Sequence, residues 1–178
     1  MFSRKQRGVA IGMALGAAVT ALVLASPPQW FGVSPQGDVH ARLVTAVRAA
    51  SIAMMWLLAA VANVARGRFM SAADIDGSGF APASQFIRIS VAIVQNTLEQ
   101  AVLAAVLYLA LARLGHPDEA ALVPQLAALF SLGRLAFWIG YRHGAPWRAF
   151  GFAVTFYPTV VGYAILALDL LRAGHMSK

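Results

Sequence analysis

Hydrophobic positions along this chain fall into long runs separated by short polar interruptions, and five apolar stretches can be drawn: Val9 to Ser26, Leu43 to Ala65, Phe86 to Ala112, Ala120 to Gly140, and Phe150 to Leu171. Each is close to the ~20 residues that cross ~30 Å of hydrocarbon at about 1.5 Å per residue. Turn and breaker residues occupy the gaps, at Ser26-Pro27-Pro28, in the Gly/Ser/Asp-rich stretch from Asp74 to Ser84, at Gly115-His116-Pro117 and at Gly144-Ala145-Pro146. Lipid cannot satisfy backbone N–H and C=O groups, so an open chain crosses it only as helix, and these runs are too long and continuous for barrel strands. The pattern predicts an all-α, polytopic membrane protein that spans the bilayer four or five times. Pro124 and Pro158, inside the fourth and fifth stretches, predict kinks.

Composition agrees with this solvent. Hydrophobic residues make up 60% of the chain and charged residues 12%, far from the roughly 45–50% and 25% of soluble domains. The formal charge is +7, but the Lys and Arg residues flank apolar runs. The excess therefore reads as topology and contact with anionic lipid, not as the basic, aromatic-interleaved face that nucleic acid requires. Cysteine is absent, which excludes disulfides, thiolate metal sites and cysteine nucleophiles. The histidines lack an i, i+4 carboxylate or His partner, His143 reads as a solvated connector residue, and no metal site is expected. Arg4-Lys5-Arg7 before the first stretch and Val23-Leu24-Ala25 at its end fit either a signal peptide or an anchor helix. The length of the apolar run, beyond the ~7–15 residues of a signal core, favours an uncleaved anchor.

Polar groups inside the spans need a reason, since lipid exacts several kcal/mol for them by most estimates. The third stretch holds Arg88, Gln95, Asn96, Glu99 and Gln100. At about 100° per residue Arg88, Gln95 and Glu99 share one line, with Asn96 roughly 80° around. Such residues commonly act as hydrogen-bonding glue between helices, but a carboxylate at Glu99 calls for a cation. Arg134 in the fourth stretch is the expected partner at similar depth, unless it snorkels to the headgroups, and Tyr141 follows it on the same face. Arg48 and Asp169 fall near the opposite interface.

Asn96-Thr97-Leu98-Glu99-Gln100, followed by Gly133-Arg134-Leu135-Ala136, Tyr141 and Pro146-Trp147-Arg148, resembles the MAPEG family, the membrane-associated proteins of eicosanoid and glutathione metabolism. The resemblance covers roughly Leu43 to Leu171. It implies a four-helix membrane bundle over residues 43–178, with residues 1–42 as an extra N-terminal anchor helix and outer connector. It further implies a homotrimer that binds glutathione between subunits near the cytoplasmic side and takes a lipophilic small molecule from the bilayer. Among its bacterial-type members the expected location is the inner membrane. Carried over by position, Asn96, Glu99 and Tyr141 match glutathione-contacting residues, and Arg148 is similar to the arginine that stabilises the thiolate. Arg134 joins this anionic pocket, and Arg66 (or Arg68) matches a basic residue ending the family's first helix. Two positions depart from the glutathione-using pattern: Ala92 and Gln95 stand where arginines are common, with Arg88 two turns back as the candidate substitute. Ala149 and Phe152 also replace a hydroxyl residue and a Tyr found in some members.

Three functions fit these residues: a glutathione-dependent transferase, peroxidase or isomerase; a non-catalytic lipid-binding or scaffold protein; and a small channel or transporter subunit lined by Asn96, Glu99 and Arg134. All place Arg4, Lys5, Arg7, Arg66, Arg68, Arg142, His143 and Arg148 on one side, the cytoplasm by the positive-inside rule, against the C-terminal Arg172 and Lys178. Because native cysteine is absent, Ser78→Cys and Ala145→Cys test this directly. Both are expected to resist an impermeant thiol reagent applied to intact cells, and labelling of either from outside overturns the orientation.

Overall fold

The computed structural model describes residues 3–31, 38–77, 80 and 82–176; Ser78 and Lys178 lie outside them. In chain order come α1 (Arg4–Leu24), a 3-10 turn (Pro28–Phe31), α2 (Val39–Phe69), α3 (Gln85–Leu114), the one-turn α4 (Pro117–Ala120), α5 (Val123–His143) and α6 (Ala145–Met176). No strand occurs among the described residues. Five segments are long and apolar enough to cross a membrane, with α4 and α5 counting as one.

Helices α2, α3 and α6 overrun their apolar stretches at both ends and α1 at its start, and polar residues cap the starts of α1, α2 and α3. Ser3 and Gln6 form a reciprocal capping box at α1, Asp38 accepts from the Ala41 N–H at 2.7 Å, and Ser84 accepts from that of Ile87 at 3.3 Å. Each satisfies an N–H that a helix start otherwise leaves open. Arg66 and Arg68 fall in the last turn of α2, where cations complement the carbonyl end of the dipole. Pro124 is not interior to a helix. It stands in the first turn of α5, where its missing N–H has no intrahelical partner to lose. Pro158 is interior to α6.

Helix α2 pairs with α3, α5 with α6, and α1 lies along α6, while α2 against α5 and α3 against α6 close the bundle. Small residues make the seams: Ala46, Ala49 and Ala53 of α2 are buried in one cluster with Ala101, Ala104 and Ala112 of α3. Larger side chains such as Leu22, Met55, Leu58, Val106 and Leu168 point outward. Lipid is as apolar as Leu, so close backbone approach, not hydrophobic burial, draws these helices together. The same device seats α1. Gly8, Gly12 and Gly16 line its contact face, and a side chain at Gly8 would meet Pro146 Cγ at 2.8 Å. At the far end of α1, Gln125 of α5 is fully buried and donates to the Val23 and Ser26 carbonyls at 2.9 and 2.8 Å.

The start of α1, the α2–α3 connector and the α5–α6 turn thus share one end of the bundle, the basic end. Asp74 organises the connector there. It is buried and accepts from Ser84 N–H and Ser71 Oγ, each at 2.8 Å. These hydrogen bonds, the Ser84 backbone one foremost, hold its carboxyl below the ordinary 3.8. The stabilisation is complete above that value and fades as pH falls through the lower, folded one. Nicking of the connector by an acid protease, normalised to an unstructured peptide, should therefore accelerate below the ordinary carboxylate range and show no such step in Asp74→Asn. Equal profiles for the two proteins would refute the role given to Asp74.

Candidate functional site

Between α2, α3 and α5 at the basic end lies a cavity of about 610 Å³. Its outer part is polar. Arg66 Nη2 donates to Asn63 Oδ1 at 3.1 Å, and Asn63 Nδ2 donates onward to Ser90 Oγ at 3.1 Å. The Arg66 guanidinium also lies 5.9 Å from the Phe86 ring centre, and Arg142 and His143 complete the lining. Deeper along the helices the wall is hydrocarbon: Ile93, Leu135 and Ile139, with Trp138 edge-on to Trp56 at 5.9 Å. The space is shaped for an amphiphile whose charged head faces the basic end.

Tyr141 stands on this wall, edge-on to Phe137 at 5.3 Å. The Arg148 guanidinium covers its ring at 4.9 Å, within cation–π range. Glycine makes this possible: a side chain at Gly140 would meet Arg148 N at 2.6 Å, so only glycine there lets the first turn of α6 rest on the last turn of α5. Gly144, with φ of 100°, turns the chain between them. Arg148 is exposed and its guanidinium N–H groups have no partner among the described residues. Its contact is with the ring of Tyr141, which lines the cavity.

Arg134 is buried, not snorkelling, at 1% exposure. Its partner is not Glu99. Arg134 Nη1 donates to Asn96 Oδ1 at 2.8 Å and Nε to Thr155 Oγ1 at 3.1 Å, with the Phe137 ring centre 4.6 Å from the guanidinium. Asn96, about 60° around α3 from Glu99, is the one that faces α5. Glu99 instead accepts from Gln95 Nε2 at 2.9 Å, and both are exposed on the outward face of α3. Arg88 lies on that face too, donating to the Ala83 carbonyl at 2.7 Å. The seven predicted residues therefore fall into three places. Arg66 and Tyr141 line the cavity and Arg148 rests on the Tyr141 ring, Asn96 and Arg134 lock the interior, and Arg88 and Glu99 face away from both.

Sequence reading passed over Asn63, Ser90 and Thr155. Asn63 carried a signal, as an amide in an Ala/Val run three residues before Arg66. Ser90 and Thr155 carried little, since short hydroxyl residues in membrane helices often bond their own backbone, as Thr155 does to the Gly151 carbonyl.

Five apolar helices around interior polar locks define an integral, multi-pass helical membrane protein. The model of the MAPEG family matches residues 43–168, the greater part of the chain, which belongs to that family. The match begins within α2, so α1 lies outside it. Comparisons with curated proteins and with solved structures each return no match.

The interior lock makes a stability prediction. Asn96→Leu should cost about 1.5–3 kcal/mol, the range for a hydrogen bond to a charged group, because it strips a buried guanidinium of an acceptor. Arg134→Met should soften that loss when combined with it. Unfolding of the micelle-bound protein by SDS measures both; strict additivity of the two substitutions would show that the residues do not act as a pair.

Proposed function

We propose that this protein binds glutathione at the basic end, as a homotrimer, and sets its thiol against a lipophilic electrophile admitted from the bilayer. The observation that carries the reading is Arg148: a cation with free N–H donors, held over Tyr141 beside a cavity that is polar outside and apolar within. A guanidinium in a partly dry site favours the thiolate, the nucleophilic form, and glutathione supplies the sulfur. Its two carboxylates find a fitting donor set in Arg66, Arg142, Asn63 and Ser90 around the cavity. The isoleucines and Trp138 deeper in would hold the lipophilic substrate and keep water away from it.

The outward face of α3 supports the trimer. Gln95 and Glu99 sit within the span and are uncovered in a single chain, an arrangement that hydrocarbon penalises and a neighbouring subunit would relieve. Closed cyclic symmetry is the usual solution for identical subunits. There Glu99, an anion, would meet the ammonium of a tripeptide bound between copies. With the basic end in the cytoplasm, a soluble thiol would reach the site from that side.

A second reading, a lipid-binding member without catalysis, is favoured by one detail. The Gln95 amide stands where an arginine is common in glutathione users, and it is spent on Glu99. Two measurements separate the readings. Titration calorimetry should detect glutathione binding to the purified trimer at about millimolar concentration or below. In Arg148→Ala, turnover of an electrophilic test substrate should fall at least tenfold, about 1.4 kcal/mol of transition-state stabilisation, while native mass spectrometry still finds trimers. Unchanged turnover, or a parent protein without glutathione affinity, would leave Arg148 a headgroup anchor and favour the lipid-binding reading.

A further inference from the structure

At the other end of the bundle α2 and α5 part around a second groove of about 380 Å³. Ile52 of α2, Pro124, Ala127 and Ala128 of α5, and Phe31 of the 3-10 turn give it apolar walls. Arg48 is the one charged residue in the lining, and it is exposed, with no hydrogen bond or ion pair among the described residues. The acids of this end are already engaged. Asp38 caps α2, Asp118 lies 3.5 Å from His116 Nδ1, and Glu119 and Asp169 both accept from the His116 backbone N–H. Among the described residues no carboxylate pairs with Arg48.

Depth says what could. Arg48 is the one charged residue between Arg42 and Arg66. Its eighteen positions from Arg66 span about 27 Å of helix, close to the ~30 Å thickness of the hydrocarbon. With Arg66 at one headgroup boundary, Arg48 reaches the other, where lipid phosphates lie. A soluble anion would gain nothing from the apolar walls, and an uncharged lipid would leave the cation bare.

We propose that the Arg48 groove holds one anionic glycerophospholipid of the adjacent leaflet. Its phosphate pairs with the guanidinium, a geometry to which arginine is suited, and an acyl chain lies against Ile52, Ala127 and Ala128. The proposal stands apart from the glutathione reading, because it uses none of those residues.

The test uses the full chain, stripped of lipid in mild detergent and then offered phosphatidylglycerol or phosphatidylcholine, with bound lipid counted by native mass spectrometry. The expected result is one retained phosphatidylglycerol per chain, at least tenfold less phosphatidylcholine, and no displacement by inorganic phosphate. Arg48→Gln, which removes the charge, and Ala128→Phe, which fills the groove, should each lower retention at least tenfold. Arg113→Gln, an exposed arginine at the same end, should not. Should Arg48→Gln fail to fold, Ala128→Phe decides alone. Full retention in either groove variant, equal retention of the two lipids, or displacement by phosphate overturns the proposal. So does dissociation of an oligomer on Arg48→Gln, which would make the groove a contact between copies.

Discussion

Lipid offers no hydrogen bonds, so a polar group carried into the hydrocarbon must find its partner on another helix, and Arg134 is the extreme case. Its guanidinium ties α5 to α3 through Asn96 and to α6 through Thr155. Sliding any of the three helices by a turn would strand a buried charge. The rest of the basic end inherits that register. Tyr141 lies two turns along α5 from Arg134, and Arg148 lies two turns before Thr155 on α6. Fixing the interior pair therefore fixes where the exposed arginine meets the tyrosine ring. One Arg134 nitrogen, Nη2, remains buried without a partner, so the lock holds with part of its bonding capacity unused.

The seams around this lock show how a bundle coheres when its surroundings are as apolar as its core. Alanines and glycines occupy the closest contacts beside a core that also holds Leu107, Tyr108, Leu111 and Phe130, while many leucines, methionines and valines face the periphery. Close approach then does two jobs at once. It lets dispersion act over short distances, and at Gly140 it brings the start of α6 near enough for Arg148 to lie on α5. The same residue choice thereby serves packing and site geometry.

Much of this was legible in the sequence. The spans were, because a hydrocarbon slab imposes a length and a composition that few other constraints imitate. So was the polar line of Arg88, Gln95 and Glu99, which helical periodicity alone determines, and so was the family, from Asn96, Glu99, Arg134, Tyr141 and Arg148 taken together. The choice between Asn96 and Glu99 as partner of Arg134 was not legible. It turns on which side of α3 meets α5, and charge complementarity pointed to the carboxylate. Pro124 was misplaced for a related reason: from Ala120 the apolar run continues into α5 without a break, so the helix start beside the proline was hidden. Gln125, next to it, gave no sign that it reaches back across the bundle.

That reach has a consequence for how the protein is made. Gln125 is 102 positions beyond Val23, so when α1 enters the bilayer during synthesis, the side chain that will tie its end to α5 has not been translated. The groove that receives its glycine face belongs to α6. Helix α1 must therefore wait, loosely held, while α2, α3 and α5 are laid down before α6. Until the chain is released and α6 settles, the bundle has an open side, and this interval is when a membrane chaperone or protease would find it.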